Sequence, residues 1–422
     1  MPPCRNYSFI ISGGAEVVNI FFKIIRENLA DRFERTGKVC YTDIENMRNL
    51  ERDETMLDWI QEQEDVWQRL QRCEKPIVMY GMGDGAIKIL QVMKRYGIKI
   101  EAMFASDEFV RGHQFMGYQV EKLSDLQERY DDFLIVMAFA VRDQPTVERI
   151  TALSKQYELV TPDVPVAGVN LFTMDFVQEH EEQLRQVEQL LADEQSRRVL
   201  HSIVNFKLSG KLEYLTECTT DPEEAYRCIL KPTAEESFAD LGAYRGDTIA
   251  ELLHYAGGCQ RVFAFEPDER TYRKLCAAVE EMGLADRAVC VQMAAYSHRE
   301  LLEFDSRAGR QSALREDSLV TGVESAAKSR IRQVQGESLD HIAGGEPVTF
   351  INMDVEGAER QALDGCREVI ERDKPKLLIA AYHRSEDLFA IPLQIARMNP
   401  EYRFYLRHYR YIPAWDTNLY CV

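Results

Sequence analysis

The sequence predicts an α/β protein with two Rossmann-like units. A smaller unit covers residues 75–165 and a seven-stranded one covers 210–422. N-terminal helices over 1–74 precede them, and a helical linker over 166–209 joins them. Three observations lead to this organisation. Short apolar runs alternate with helix-length amphipathic stretches, the pattern of a parallel sheet with crossover helices. Each unit opens on a strand, a glycine turn and a helix start: Ile77-Val-Met-Tyr-Gly-Met-Gly-Asp-Gly-Ala86 in the first, Phe238-Ala-Asp-Leu-Gly-Ala-Tyr-Arg-Gly-Asp-Thr248 in the second. At 422 residues the chain also exceeds what one ordinary core holds.

The elements follow in chain order. Val17, Ile20, Phe21, Ile24, Ile25 and Leu29 recur at helical spacing, and Leu57, Ile60, Trp67 and Leu70 mark a second amphipathic stripe. Both read as packing helices. In the first unit, strands are expected at 77–80, 98–104 and 133–139, with a helix over 87–96 and the unit ending near Pro162 and Pro165. The run Phe133-Leu-Ile-Val-Met-Ala-Phe139 is wholly apolar, as in a strand buried on both faces. Residues 169–209 contain neither Gly nor Pro and carry helical periodicity. In the second unit, strands are expected at 237–241, 261–266, 288–293, 349–354, 376–381, 402–407 and 418–422. Helices are expected at 247–256, 268–283, 357–372 and 385–398, with an antiparallel hairpin formed by the last two strands.

Composition narrows the function. With a net charge of −19 the chain is a poor partner for nucleic acid or an anionic membrane surface. No stretch reaches the roughly 18 apolar residues of a membrane span, and no leader pattern opens the chain. The 10 cysteines form no C-x-x-C pair and several sit in apolar runs, as reduced thiols of a cytoplasmic protein would.

The acid in the second glycine turn decides the ligand class. A pyrophosphate binds bare backbone N–H groups at a helix start, and a carboxylate there repels it. Asp240 stands at the end of its strand, next to Gly242 and Gly246. It favours a ligand carrying an ammonium and a sulfonium, which is S-adenosylmethionine. Glu266, followed by Pro267, ends the next predicted strand, where a carboxylate accepts both hydroxyls of a ribose.

These elements resemble the FkbM-type family of S-adenosylmethionine-dependent methyltransferases, over residues about 210–422. The resemblance rests on four elements in order: the Asp240–Thr248 loop, Phe265-Glu-Pro267, Ser338-Leu-Asp340 ahead of a strand, and Ile351-Asn-Met-Asp-Val-Glu-Gly-Ala-Glu359. It implies the seven-stranded methyltransferase fold and methylation of a hydroxyl on a sugar or secondary metabolite. By position it implies that Asp240, Gly242, Ala243, Gly246 and Thr248 hold the methionine end of the cofactor, and Glu266 and Pro267 the ribose. The turn at Ala294, Ala295 and Tyr296 would border the adenine. One position departs from the family: Asn352 stands where it commonly has lysine.

Methyl transfer to an alcohol needs alignment and a general base. Asp354, Glu356 and His383 lie at the carboxyl ends of the central predicted strands and should converge on one crevice. His383 is the preferred base, because its reference pKa lies near neutrality. Two carboxylates and an imidazole suit several metal ions, but no separate signature supports one and none is expected. His408 reads as a surface residue or an acceptor-pocket contact. Segments 296–335 and 408–417 are candidate acceptor loops.

Two other readings remain. One is a non-catalytic protein that binds S-adenosylmethionine or a nucleotide on a degenerate fold, suggested by Asn352. The other is an NAD-dependent enzyme using the first unit, whose Gly81-Met-Gly-Asp-Gly-Ala86 fits G-x-G-x-x-A, with Asp107 past the following strand. Asp84 inside that turn disfavours a pyrophosphate. The expected partner is a small-molecule acceptor, and a homo-oligomer is compatible with the sequence.

Overall fold

A computed structural model describes residues 57–305, 313–314 and 331–422. The apolar stripe over 17–29 lies outside them. Of the second predicted stripe, only Val66–Gln71 is helical, with Asp65 capping it. Leu57 is buried in the main core ahead of a turn.

The first sheet contains β1 (Ile77–Tyr80), β2 (Ala102–Phe104), β3 (Gln114–Phe115), β4 (Tyr118–Glu121), β5 (Leu134–Met137) and β6 (Glu158–Val160). Its order is β3-β4-β2-β1-β5-β6, parallel except for the β3–β4 pair. β1 and β5 are buried at every position, as their unbroken apolar sequences require. The expected strand over 98–104 is shorter, Ala102–Phe104, and β6 is an element the periodicity did not reveal.

The Gly- and Pro-free stretch forms three helices, Met174–Glu179, Glu181–Leu190 and Glu194–Ser209. Thr173 and Asp193 cap the first and third through side-chain oxygens. Gly210 ends the third in a left-handed conformation.

The second unit follows with β7 (Ser237–Leu241), β8 (Arg261–Phe265), β9 (Ala288–Val291), β10 (Ala294–Ala295), β11 (Glu300–Asp305), β12 (Ala313–Leu314) and β13 (Ile331–Glu337). It ends with β14 (Phe350–Met353), β15 (Lys376–Ala380), β16 (Phe404–His408) and β17 (Thr417–Cys421). The seven-stranded sheet has the order β16-β17-β15-β14-β7-β8-β9, with β17 antiparallel to both neighbours. Strand order therefore reverses between β7 and β14, where open α/β sheets form their ligand crevice. Asp240 pairs with Asn352 across that junction.

Two expectations need correction. The helix over 357–372 is broken into Glu359–Asp364 and Arg367–Asp373. At the break, the carbonyl of Tyr296 occupies the space a Gly365 side chain would need. The segment 296–335 is not all loop: it holds β11, β12 and most of β13, which with β10 form a separate four-stranded sheet in the order β10-β13-β11-β12. β11 and β13 mix charged and apolar residues, which hid them as strands. Residues 306–312 and 315–330 of that segment lie outside the described residues. Every cysteine among the described residues is a free thiol. No helix of the described residues is long and apolar enough to cross a membrane.

Candidate functional site

The site is built at the carboxyl ends of β7, β8, β14 and β15. β7 ends on Asp240 and Leu241, and the chain then turns sharply through Gly242, with φ of 93°. No side chain fits at Gly242, because the Asp354 carbonyl lies against it. The Gly242 and Ala243 N–H groups both donate to the Phe265 carbonyl at the tip of β8. The loop is thus closed onto the neighbouring strand before Gly246 opens the helix Asp247–Ala256. Thr248 is half-buried in the first turn of that helix.

Asp240 is fully buried. Its Oδ1 accepts from Asn352 Nδ2 at 2.8 Å, while Oδ2 is buried without a partner. Burial pushes its pKa up to about 7; the Asn352 hydrogen bond opposes the shift and Asp354 and Asp247 add to it. An ammonium at position 352 would neutralise Asp240. The amide present instead orients the carboxylate and leaves its charge uncompensated. Such an orphaned buried oxygen is the environment a cationic ligand satisfies.

Glu266 follows β8 and is 7% exposed. Its Oε1 accepts from the Asp268 N–H at 2.8 Å, which fixes the carboxylate at the strand tip. Burial raises its pKa to about 7, against the Asp268 N–H and with the help of the Asp268 and Asp240 charges. Pro267 is half-buried, and Ala294 and Ala295 are buried in β10. Gly246 is buried against Leu275, Ala278 and Met282.

Asp354, Glu356 and His383 are brought together. His383 Nε2 lies 3.4 Å from Asp354 Oδ1 and 3.4 Å from Glu356 Oε2. The histidine is 1% exposed, whereas the Asp354 side chain is 47% exposed and that of Glu356 26%. Glu356 has φ of 56°, a left-handed backbone that costs about 1 kcal/mol for a non-glycine residue. Gly357 follows with φ of 102° and packs directly on Ala167.

Behind the histidine lie two acids that the sequence did not single out. Glu359 Oε1 stands 2.9 Å from His383 Nδ1 and accepts from the N–H groups of Val355 and Gly357. Asp387 is buried and accepts from the Arg384 N–H. Burial would lower the His383 pKa, but Glu359, Glu356 and Asp354 outweigh it and hold it well above the usual value. The near-neutral pKa that recommended His383 as a base is therefore not the one its surroundings impose. Asp354 moves the other way from an ordinary carboxylate, up to about 7: enclosure raises it, His383 lowers it, and Glu356 and Glu359 raise it further. Crevice water on its exposed half moderates that shift. Tyr382 OH lies 3.4 Å from Asp354 Oδ2.

Two motif residues are structural. Ser338 caps the helix Leu339–Ala343, and the Asp340 carboxylate accepts from the N–H groups of Glu368 and Val369, capping the helix Arg367–Asp373. His408 is not at the surface. It is buried in β16 against Thr417 Oγ1, and burial lowers its pKa to about 3.

A seven-stranded sheet of this order, with a glycine turn and acids at adjacent strand tips, defines a Rossmann-like methyltransferase fold. Residues 240–413 match the family model described as the methyltransferase FkbM domain, and the chain carries an FkbM methyltransferase domain there. The chain is similar in fold to the crystal structure of methyltransferase FkbM from Methylobacillus flagellatus KT, with 21% identity and a TM-score of 0.63. That match covers 86% of this chain and 92% of the other. An rRNA methylase from Streptococcus thermophilus is 14% identical over 48% of this chain and 96% of its own, with a TM-score of 0.31. No curated protein matches the chain.

Proposed function

We propose that the chain is an S-adenosylmethionine-dependent O-methyltransferase acting on a hydroxyl of a sugar or related small molecule. The observation that carries this reading is the buried, unpartnered Oδ2 of Asp240 at the switch point of the sheet, with Glu266 at the next strand tip. Asp240 would hold the ammonium end of the cofactor and Glu266 the ribose hydroxyls. When bound, S-adenosylmethionine supplies a methyl group that an acceptor oxygen takes in line, the broken bond's electron pair staying on sulfur.

The chain's own residues do the rest. The glycine turn supplies a side-chain-free approach to the strand tips. Asp354, exposed to the crevice and raised toward neutrality, accepts the hydroxyl proton at a carboxylate oxygen. His383, held protonated between Glu359 and the crevice pair, fixes Asp354 and Glu356 in place and balances their charge. Tyr382 offers a hydroxyl beside Asp354 for orienting an acceptor.

Calorimetric titration of the full chain with S-adenosylhomocysteine tests the cofactor part. Binding that Asp240→Ala weakens far more than His383→Ala supports it, with His383→Ala reducing turnover instead. No binding at millimolar ligand, or equal effects of both variants on both measurements, rejects it.

A further inference from the structure

We propose that Asp354, Glu356 and His383 bind one divalent cation of the Mn²⁺ or Zn²⁺ class on the crevice wall. No spacing motif announces the site, because its donors come from the ends of two different strands, β14 and β15. One donor atom from each residue lies within 4.8 Å of the other two. His383 Nε2 is 3.4 Å from an oxygen of each carboxylate, longer than a charge-assisted hydrogen bond. Adjacent donors about 2.1 Å from a shared ion stand about 3 Å apart. Closing His383 Nε2 and either carboxylate onto an ion therefore requires shifts of only a few tenths of an ångström, and the two carboxylate oxygens start within 4.8 Å of each other.

The surroundings of His383 support the site from its other ring nitrogen. The imidazole is 1% exposed, and its Nδ1 has no aligned hydrogen-bond partner, although Glu359 Oε1 is 2.9 Å away. Glu359 Oε2 and Asp387 Oδ1 are likewise buried without partners. Four carboxylates thus lie around one imidazole: Asp354 and Glu356 at Nε2, Glu359 at Nδ1, and Asp387 within 4.8 Å of a ring nitrogen. A cation on Nε2 displaces a proton there and leaves Nδ1–H facing Glu359, the carboxylate–histidine–metal arrangement that orients metal-bound imidazoles. The deeper group of Glu359, His383 and Asp387 is buried throughout. It lacks the solvent-facing side that Asp354 and Glu356 give the outer group, so it supports the site and does not form it.

The ion's role, though not its binding, rests on the methyl-transfer reading. An acceptor hydroxyl on the cation loses its proton to crevice water more readily than a free one. With the ion bound, Asp354 serves as a ligand and crevice water takes the proton that Asp354 would accept in the metal-free site.

The test uses the full chain, stripped of metal with a chelator and free of any cofactor. It is titrated with Mn²⁺, followed by the electron paramagnetic resonance signal of the free ion, and separately with Zn²⁺ by calorimetry. One ion of at least one metal should bind per chain. Asp354→Asn and Glu356→Gln should each weaken it at least tenfold, and Glu281→Gln, on an exposed helix position elsewhere, should leave it unchanged. Both crevice side chains are solvent-accessible, so these amides preserve the fold, which melting curves verify. Glu359→Gln should weaken binding about tenfold through the imidazole. Absence of binding by both metals at millimolar concentration overturns the site, as does binding that both crevice variants retain. A protein that binds S-adenosylhomocysteine but no metal rejects this site alone. One that binds the metal but not the nucleoside rejects the methyl-transfer reading alone.

Discussion

The two glycine turns start alike and end differently. In the first, β1 ends on Tyr80, which stacks on Phe104 with ring centroids 4.5 Å apart and meets Phe139 edge-on at 4.8 Å. Its hydroxyl pairs with Ser106 Oγ at 2.8 Å. A side chain at Gly81 would meet Phe139 at 2.5 Å, and one at Gly85 the Ala138 carbonyl at 2.6 Å. These two glycines let the protein approach itself. In the second, the strand ends on a buried carboxylate with one oxygen unpaired, beside a second acid. The same turn thus packs a fold in one place and leaves an unmet charge in the other.

The first unit also has a part in the second unit's site. Lys88, on the helix after the first turn, donates to the carbonyls of Pro165 and Val166 at 2.8 Å each. The next residue, Ala167, donates its N–H to the His383 carbonyl and fills the space beside Gly357. Val141 pairs with Ile412 in the candidate acceptor segment 408–417. Contacts from the first unit and the start of the linker thus reach the Gly357 turn, the His383 backbone and segment 408–417.

The largest expected effect that separates the turns comes from paired alanine substitutions. Gly242→Ala puts a side chain at a left-handed position against the Asp354 backbone and should cost more than about 3 kcal/mol, abolishing cofactor binding. Gly81→Ala is also strained, with φ of 109°, but it meets the movable Phe139 ring rather than backbone and should cost less, leaving affinity intact. Thermal melts with calorimetry on both variants break the comparison if the order reverses.

Asp240→Asn should follow. Loss of a charge-assisted contact weakens cofactor binding by about 1.5–3 kcal/mol, or about 10- to 150-fold. The free protein should change in the opposite direction. The folded-state pKa of Asp240 is raised, so its favourable contribution is complete below about pH 4 and lost as pH rises through about 7. The neutral amide should therefore raise the melting temperature of the free protein at pH 8 and change it little at pH 4.

Cofactor affinity should itself depend on pH. Asp240 must ionise to meet the ligand's ammonium and Glu266 to accept both ribose hydroxyls, so binding should weaken as pH falls below about 7, by up to about tenfold per unit for each group. A pH-independent affinity between 5.5 and 8 would mean that neither acid contacts the ligand. The smallest effect is Tyr80→Phe, which should cost about 1 kcal/mol or less in stability and nothing in cofactor affinity.

Much of this was legible in the sequence because strand ends and glycine turns are local signals. β7 and the helix Asp247–Ala256 lie where apolar run, glycine and acid place them, and Asp354, Glu356 and His383 meet because each follows a central strand. The hidden features depend on tertiary partners. Nothing local shows that Asn352 would bind Asp240, that Glu359 and Asp387 would be buried behind His383, or that His408 would face inward. β11 and β13 were missed because their mixed polarity reads as loop until each finds the other. The raised pKa of His383 is hidden for the same reason: it is set by three carboxylates from outside its own strand.

The most direct test of the contrast between the two turns is a pair of titrations on the full chain, one with S-adenosylmethionine and one with NADH. One S-adenosylmethionine should bind per chain, with no saturable NADH binding. Saturable NADH binding in a protein that ignores S-adenosylmethionine would mean that the ligand sits at the first turn, and that the buried acids of the second serve only the fold.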